Sequence, residues 1–425
     1  MLTIWPSFCA LNYNMRNPLF LVILITVLIL IDFYIYHVLR IMTQGTSNAT
    51  RTTVGLIYWA LCILSIGSFL LFPYIKNPYF KQYIFSIGIG WVLTQVFMVL
   101  FFLMDDLRRG AFWTMGQAAS MAGAKFMNTE KGIPRSTFLS WLGVGLSSTL
   151  FFSLLYGFGN KYNYKLVKKK ISLNGLPLAF KGFKIIHISD IHSGSLKDKA
   201  AVLKGIELIE KQNADIVLFT GDLVNDRATE MHDWMDVFGK IKAPHGVYST
   251  LGNHDYGDYV KWDTLEEKKQ NLEALKQVHH NLGWRLLMNE NISIEKSGEK
   301  IKIVGIENWG AKARFPKYGK MDLAMQGVSK EDVAILLSHD PSHWEAEVIP
   351  KYSHIQLTLS GHTHGMQFGL ENPYFKWSPV QWVYKQWAGI YDNKDQQLYV
   401  NRGFGFLGYP GRVGILPEIT LIELT

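Results

Sequence analysis

Residues 183–194 read FKIIHISDIHSG, a short apolar run that passes directly into a polar motif. The same arrangement recurs four times farther along the chain, in GDLVND (221–226), GNHDYG (252–257), SHDP (338–341) and GHTHG (361–365). In open α/β sheets, ligands collect just beyond the carboxyl ends of the strands. The sequence therefore predicts that five strand ends converge on one pocket.

The motifs carry donor atoms that suit divalent metals. Carboxylate oxygen combined with imidazole nitrogen fits Mn²⁺, Fe or Zn²⁺, and thiolate is absent from the motifs. Asp190 and His192 are two residues apart, as are His362 and His364, so each pair can share one strand face. Such a face can serve two metals about 3.5–4 Å apart, and Asp222 is the candidate for a carboxylate that bridges them.

From residue 171 onward, the sequence has the pattern of a globular α/β domain. Helix-like stretches at 198–213 and 262–281 separate the early strands, and His279 and His280 on the second stretch are expected to face solvent. Asp226 is interpreted as a cap or supporting group, and Asp340 as local support for its motif. The predicted strands are FKIIHIS, ADIVLFT, GVYSTL, IKIVGI, VAILLS, IQLTLS, QLYVNR and EITLIEL.

The first 160 residues have a different character, which explains an apolar content of 48% and a mean hydropathy of +0.06. They contain four apolar runs that approach or exceed the ~20 residues needed to cross a bilayer. Residues 1–160 are therefore predicted to be a four-helix transmembrane region of a multi-pass membrane protein. Asp32 is the main charged exception and is expected near a helix end. The predicted spans are 18–39, 54–75, 82–104 and 137–158.

The net charge of the chain is +8. Positively charged residues cluster beside the apolar runs, at Arg108 and Arg109 and again in a Lys-rich stretch at 161–170. This stretch is interpreted as a basic juxtamembrane linker that attracts anionic headgroups, and nucleic-acid binding is not expected. The two cysteines, Cys9 and Cys62, both lie in the membrane half, so the sequence has no disulfide framework.

An aromatic and basic stretch, FKWSPVQWVYKQWAGIY, occupies residues 375–391. Trp and Tyr favour the headgroup zone, so the stretch fits a lip at the membrane interface. A buried aromatic cluster near the site would explain it as well.

The ordered motifs resemble those of the calcineurin-like metallophosphoesterase superfamily, and are similar to those of its membrane-associated bacterial branch. The resemblance covers about 180–425, and it implies a four-layer αββα sandwich for the catalytic domain (171–425). It implies that Asp222 bridges two divalent metal ions per chain and that Asp255 orients a catalytic imidazole, His254. Met366 departs from the branch, which usually has Gly there, and could narrow the entrance to the site. The implied ligands are Asp190, His192, Asp222 and His364 for the first metal, and Asn253, His339 and His362 for the second.

Two metals in one site predict a phosphoric ester hydrolase that works by in-line attack of a metal-bridging hydroxide, with His254 protonating the leaving group. Arg402 and Arg412 are candidates for holding substrate phosphate, or for internal salt bridges. The resemblance implies a phosphodiesterase or pyrophosphatase acting on lipid-linked substrates, including UDP-diacylglucosamine-like precursors. Two alternatives stay open at this point. One is a membrane sensor or transporter with a ligand-binding phosphoesterase-like domain, and the other is a nuclease of the same superfamily.

Overall fold

The structure is a computed structural model, and it describes residues 18–123, 133–312 and 316–425. These residues divide into two compact units, with the boundary between Tyr156 and Gly157. Cys9 lies outside the described residues, and Cys62 is a free, buried thiol.

The first unit consists of four long helices, each apolar enough to cross a membrane. Side chains from all four helices form a buried cluster that includes Ile35, Tyr58, Trp91 and Phe151, and a smaller buried cluster contains Phe72. Leucine and isoleucine side chains on their outer faces are exposed, as a lipid environment requires. The helices are α1 (Pro18–Met42), α2 (Asn48–Leu71), α3 (Pro78–Met121) and α4 (Thr137–Gly157).

Helix α3 has 44 residues, about 65 Å at ~1.5 Å per residue, and is roughly twice as long as a hydrocarbon core is thick. Its second half carries Arg108 and Arg109, which lie 2.9 Å from Asp105 and Asp106 respectively. Both arginines therefore have carboxylate partners one helical turn away.

Asp32 lies well inside α1 and is buried, contrary to the expectation of a position near a helix end. The Tyr58 hydroxyl donates to its carboxylate at 3.3 Å, and the Gln95 amide donates to the same oxygen. A carboxylate among apolar helices requires such partners, because hydrocarbon offers none.

The second unit contains two six-stranded sheets. In the first sheet, the spatial order is β1 (Lys165–Ile171), β14 (Glu418–Leu424), β2 (Lys184–Ile188), β3 (Ile216–Phe219), β4 (Val247–Ser249) and β5 (Arg285–Leu286). In the second, it is β12 (Gly389–Asn393), β13 (Gln396–Val400), β9 (Ile355–Ser360), β8 (Ala334–Leu337), β7 (Glu299–Gly305) and β6 (Glu290–Lys296). A separate small hairpin pairs β10 (Leu370–Glu371) with β11 (Lys376–Trp377).

Strand alternation divides the core of this unit into layers. Ile185 and Ile216 belong to the cluster between the two sheets, whereas their neighbours Ile186 and Val217 face the helices outside the first sheet. Leu336 faces outward in the same way from the second sheet. The predicted four-layer αββα sandwich is confirmed. The outer layers contain α5 (Lys199–Glu210), α6 (Met235–Phe238), α7 (Leu265–Leu282), α8 (Met321–Ala324) and α9 (Ile349–Lys351), with a π-helical turn at Trp344–Val348.

Two local predictions are wrong. Lys165–Ile171 is not a linker but β1, the edge strand that runs parallel to β14 over seven residue pairs. Edge strands commonly carry lysines, and a charged edge looks like a linker in the sequence. His279 is fully buried, with its Nδ1 3.0 Å from the Ser249 hydroxyl, because α7 turns that face toward the sheet. Burial lowers the pKa of His279 to about 3.

Parallel pairing positions the five motifs. Strands β2, β3 and β4 run parallel in the first sheet, and β8 and β9 run parallel in the second. The motifs follow the carboxyl ends of these five strands. The end of one sheet therefore contributes three motifs, and the end of the other contributes two.

Candidate metal centre

Two groups of three donors lie at these strand ends, and within each group the ligand atoms are within 4.8 Å of one another. Five of the six side chains are buried, and His362 is partly exposed. The first group is Asp190, His192 and His364, and the second is Asp222, His339 and His362.

Asp222 lies between the two groups. Its Oδ2 atom is 3.5 Å from His192 Nε2 in the first group and 3.2 Å from His339 Nε2 in the second. Asn253 joins the second group through Oδ1, which is 2.8 Å from His362 Nδ1. The structure thus brings together all seven predicted ligands, with Asp222 between the two groups.

The donor orientations fit a cation. His339 Nδ1 donates to the Thr220 carbonyl at 2.7 Å, so in the neutral ring Nε2 carries a lone pair. That lone pair faces the Asp222 carboxylate, with His362 Nδ1 3.3 Å away. Burial alone would lower the pKa of His339, but the Asp222 and Asp190 carboxylates outweigh it and raise the pKa to about 10. The same carboxylates that favour the protonated imidazole would also stabilise a bound cation.

Backbone conformation marks the same residues. Positive φ angles in non-glycine residues carry strain of about 1–3 kcal/mol each and are tolerated mainly where function needs them. Five of the predicted ligands have such angles: Asp190 (53°), His192 (49°), Asp222 (59°), His362 (69°) and His364 (50°).

Two glycines permit the close packing of the carboxylates. A Cβ at Gly252 would lie 2.2 Å from Asp222 Oδ1, and one at Gly361 would lie 2.2 Å from Asp190 Oδ2. The Asp190 carboxylate in turn accepts the His362 backbone N–H at 3.0 Å, which joins the motif after β2 to the motif after β9.

His254 lies beside the two groups, with its ring 5.0 Å from that of His192. Its Nδ1 is 2.8 Å from the Asn225 carbonyl, which accepts the ring N–H and leaves Nε2 for proton transfer. The prediction that Asp255 orients this ring is therefore corrected, because the structure gives that position to Asn225.

Asp255 instead supports the backbone beneath Asp222. Its carboxylate accepts the N–H groups of Gly252, Asp222 and Leu223 at 2.8–2.9 Å, and that of Val224 at 3.3 Å. Burial and the nearby Asp222 carboxylate raise the pKa of Asp255 to about 7, and the N–H donors oppose this shift. The side chain fixes the loop that carries the proposed bridge.

Several residues at the site were not predicted. Tyr384 places its hydroxyl 2.9 Å from His362 Nε2 and donates to Asp340 at 3.2 Å, which extends the supporting role predicted for Asp340. The Tyr259 ring packs against the His254 ring at a tilt, with 4.4 Å between the centroids, and its hydroxyl accepts from the Asn253 amide at 2.8 Å. Asn225 and Tyr259 lie in or next to a motif and could have been found there. Tyr384 lies in the aromatic stretch 375–391, for which a buried cluster near the site was one of the two interpretations.

The guanidinium groups of Arg402 and Arg412 are buried and have protein acceptors. Arg402 pairs with Glu418 and Glu371, and these carboxylates outweigh burial and raise its pKa. Arg412 donates to the carbonyls of Arg402, at 2.7 Å, and of His364, at 3.3 Å. A role in binding substrate phosphate would require both to leave these partners. The contacts instead place Arg412 as a support beneath His364.

Met366 is partly exposed, and its narrowing of the site entrance stays a prediction. It packs against the buried cluster of Val380, Tyr384, Trp387 and Ile415. Its φ of +55° explains why glycine suits this position.

Comparisons with known proteins agree with this geometry. Residues 183–366 match the model of the calcineurin-like phosphoesterase family. Residues 15–160 match a model described as "Probable Calcineurin-like phosphoesterase, transmembrane domain". The fold and donor set thus define a membrane-associated, metallophosphoesterase-like protein, and the chain belongs to the calcineurin-like phosphoesterase family. It is a multi-pass membrane protein, and divalent-metal binding is a property of the family.

Relatives occur in bacteria and in vertebrates. The Bacillus subtilis metallophosphoesterase YkuE is 31% identical over 257 residues, which cover 59% of this chain and 81% of that protein. The Bacillus subtilis metallophosphoesterase YkoQ is 28% identical, over 59% of this chain and 86% of that protein. A zebrafish transmembrane protein with a metallophosphoesterase domain is 28% identical over 61% of this chain. The match spans 57% of that zebrafish protein's length.

Proposed function

We propose that the chain is a membrane-anchored phosphodiesterase or pyrophosphatase that uses two divalent metals and acts on lipid-linked phosphate substrates. The observation that carries the proposal is the position of Asp222, whose Oδ2 lies within 3.5 Å of imidazole nitrogens from both donor groups. Two metals about 3.5–4 Å apart that share a carboxylate suit in-line displacement at phosphorus.

When bound, the metals would neutralise phosphate charge and supply a nucleophile from water at neutral pH. Asp190, His192 and His364 would hold the first, and Asn253, His339 and His362 the second, with Asp222 shared. His254 would donate a proton from Nε2 to the leaving oxygen, while the Asn225 carbonyl fixes the ring through Nδ1. Manganese is the metal that we would test first, since the donors are oxygen and imidazole nitrogen.

The lipid-linked substrate is inferred from attachment to the membrane. Four helices long enough to span a bilayer precede the second unit, and Gly157 is both the last residue of α4 and the first of that unit. Because the second unit is covalently tethered to the membrane, its site meets lipid-borne phosphate at high local concentration. The intact donor set favours an enzyme over a sensor that lacks turnover.

The proposal is tested with the full-length protein in detergent, by metal analysis and by hydrolysis of bis(4-nitrophenyl) phosphate with added Mn²⁺. Asp222→Asn should lose at least one metal per chain together with activity. Asp236→Asn is the matched control, because Asp236 is an exposed carboxylate paired with Lys199 away from the site.

Full metal content and full turnover in Asp222→Asn would refute the assignment of the bridge. Bound metal without turnover of any phosphate ester by the unaltered protein would favour a sensor. Preferential cleavage of DNA, weakening steeply with salt, would favour a nuclease.

A further inference from the structure

An exposed apolar surface lies on the segment that contains the β10–β11 hairpin. We define the aromatic lip as Leu370, Tyr374, Phe375, Trp382 and Val383, all of which are exposed. Tyr374 is 98% exposed and Trp382 is 75% exposed, which is unusual for side chains of this size in water. The Asn372 side chain accepts the N–H groups of Tyr374 and Phe375 at 2.9 Å, so the turn holds these two rings at the tip.

The other side of the same segment contacts the metal centre. The Ser378 hydroxyl donates to the Gly365 carbonyl at 2.9 Å, and the Thr363 hydroxyl donates to the Trp387 carbonyl at 2.7 Å. Tyr384, next to Val383, places its hydroxyl 2.9 Å from His362. The lip is therefore built on the rim of the proposed active site.

The hairpin also lies near Gly157, the residue at which this unit joins the membrane helices in the chain. The carbonyl of Gly157 accepts the Arg412 N–H at 2.9 Å. The next residue, Val413, donates to Gln367 at 2.8 Å and accepts from Gly369 at 2.9 Å, directly before β10 begins. Since adjacent extended segments lie about 4.8 Å apart, the hairpin starts within about 10 Å of Gly157.

We propose that the aromatic lip inserts into the headgroup layer of the membrane that the chain spans. Trp and Tyr favour this layer because their rings are apolar and their N–H and O–H groups remain hydrated. Lys385, two residues beyond Val383, has a side chain that is 81% exposed, and its ammonium group lies 3.9 Å from the Glu345 carboxylate. An exposed pair at this distance is weak, so Lys385 can still attract anionic headgroups. The chain's own membrane is the occupant, because the hairpin lies beside the residue at which a spanning helix ends.

The consequence for catalysis rests on the proposed function. If the rim of the site is held at the headgroup layer, a phosphate on a lipid can reach the metals without leaving the bilayer surface. The lip would then determine the preference for lipid-linked over soluble phosphate esters, while the metal ligands perform the chemistry.

The lipid contact is tested by spin labelling of the full-length protein in nanodiscs that contain anionic lipid. Labels are attached to Tyr374→Cys and Trp382→Cys in a Cys9→Ser background, which leaves the buried Cys62 in place. Leu265→Cys is the matched control, because Leu265 is 80% exposed at the start of α7. Protein without an added cysteine measures any labelling of Cys62.

Labels at 374 and 382 should collide more with oxygen and less with a water-soluble nickel chelate than the label at 265. Equal, water-like accessibility at all three positions would overturn the proposal. Dipolar broadening between labels at 374 or 382 would overturn it as well, because it would indicate that a second copy of the chain covers the lip.

A catalytic measurement distinguishes a failure of the lip proposal from a failure of the proposed function. In Tyr374→Ser/Trp382→Ser, the ratio of turnover on a lipid pyrophosphate in vesicles to turnover on bis(4-nitrophenyl) phosphate should fall about tenfold, as a loss of local concentration predicts. Leu265→Ser should keep the ratio of the unaltered protein. An unchanged ratio in the double variant would refute the role of the lip in substrate access. Lipid-like label accessibility in a protein that hydrolyses neither substrate would support the lip and refute the proposed function.

Discussion

His254 is the residue on which the proposed proton transfer depends. His254→Ala should keep the bound metals, since the ring is held by the Asn225 carbonyl and belongs to neither donor group. Turnover should fall about 10²- to 10⁴-fold, the usual size of a general acid effect. His280→Ala is the matched control, because His280 is exposed on α7. Steady-state rates and metal content of the purified proteins measure both effects.

The leaving group distinguishes the acid role from a role in charge stabilisation. A nitrophenolate leaves without a proton, so the loss in His254→Ala should be smaller on nitrophenyl esters than on alkyl esters. An equal loss on both kinds of ester would contradict the assignment of His254 as the acid.

Tyr384 should raise the affinity of the second donor group for its proposed metal, because its hydroxyl contacts His362. Removing the hydroxyl in Tyr384→Phe leaves His362 Nε2 without its partner at 2.9 Å, and such partners orient a ligating imidazole. Affinity for the second metal should fall about 10- to 100-fold, the range typical of residues that support a ligand. Competition with a chelating dye gives the affinity directly.

The control for Tyr384→Phe is Tyr352→Phe, which also removes a tyrosine–aspartate hydrogen bond, in this case the exposed one of 2.6 Å to Asp322. A similar loss of metal affinity in both variants would mean that tyrosine hydroxyls stabilise the fold in general and that Tyr384 has no specific role.

The turn after β4, which contains Gly252, packs closely against the turn after β3, which contains Asp222. In Gly252→Ala, the new Cβ would lie 2.2 Å from Asp222 Oδ1 and 2.7 Å from Asp222 N. The Asp222 carboxylate, the proposed bridge, must then move, so we expect loss of metal and a decrease in stability of about 1–3 kcal/mol. Gly159→Ala is the matched control, because no atom lies within 4 Å of the position that its new methyl group would occupy. Thermal unfolding with and without Mn²⁺ measures both effects, and a Gly252→Ala protein that binds metal normally would refute the close-packing argument.

The elements that the sequence predicted well are those with strong local signals. Apolar runs such as FKIIHIS form strands, and the polar motif after each run lies at the strand end, because alternation and sheet direction are local properties. The four spans follow from length and composition in the same way. Five convergent motifs were therefore enough to bring seven donors together.

What the sequence could not show depends on tertiary packing. The position of Asp255 next to His254 suggested a dyad, but the turn sends the two side chains in different directions. Tyr384 reaches His362 from 22 residues away through a loop without periodicity. Lys165–Ile171 looked like a linker because its charges face solvent, and its pairing partner β14 lies about 250 residues farther along the chain.

At the scale of the whole molecule, the boundary between the two units determines which fragment can fold alone. Residues 157–425 contain both sheets, all seven proposed ligands and β1. A fragment of residues 172–425 would lack β1 and leave β14 as an unpaired edge, which favours aggregation. The longer fragment should therefore be the more soluble and the more stable of the two.

The longer fragment also separates chemistry from access to substrate. Fragment 157–425 should hydrolyse bis(4-nitrophenyl) phosphate with Mn²⁺ at nearly the rate of the full-length protein, because the donor groups lie wholly within it. On a lipid pyrophosphate in vesicles it should be weaker, since the spans contribute local concentration and not chemistry. Anionic lipid should partly restore this activity and high salt should remove it again, through attraction of the lysines on β1 to the vesicle surface. Rates for both proteins on both substrates decide the matter. Equal losses on the two substrates, or no loss on either, would mean that the membrane unit serves a purpose other than bringing the site to lipid-linked phosphate.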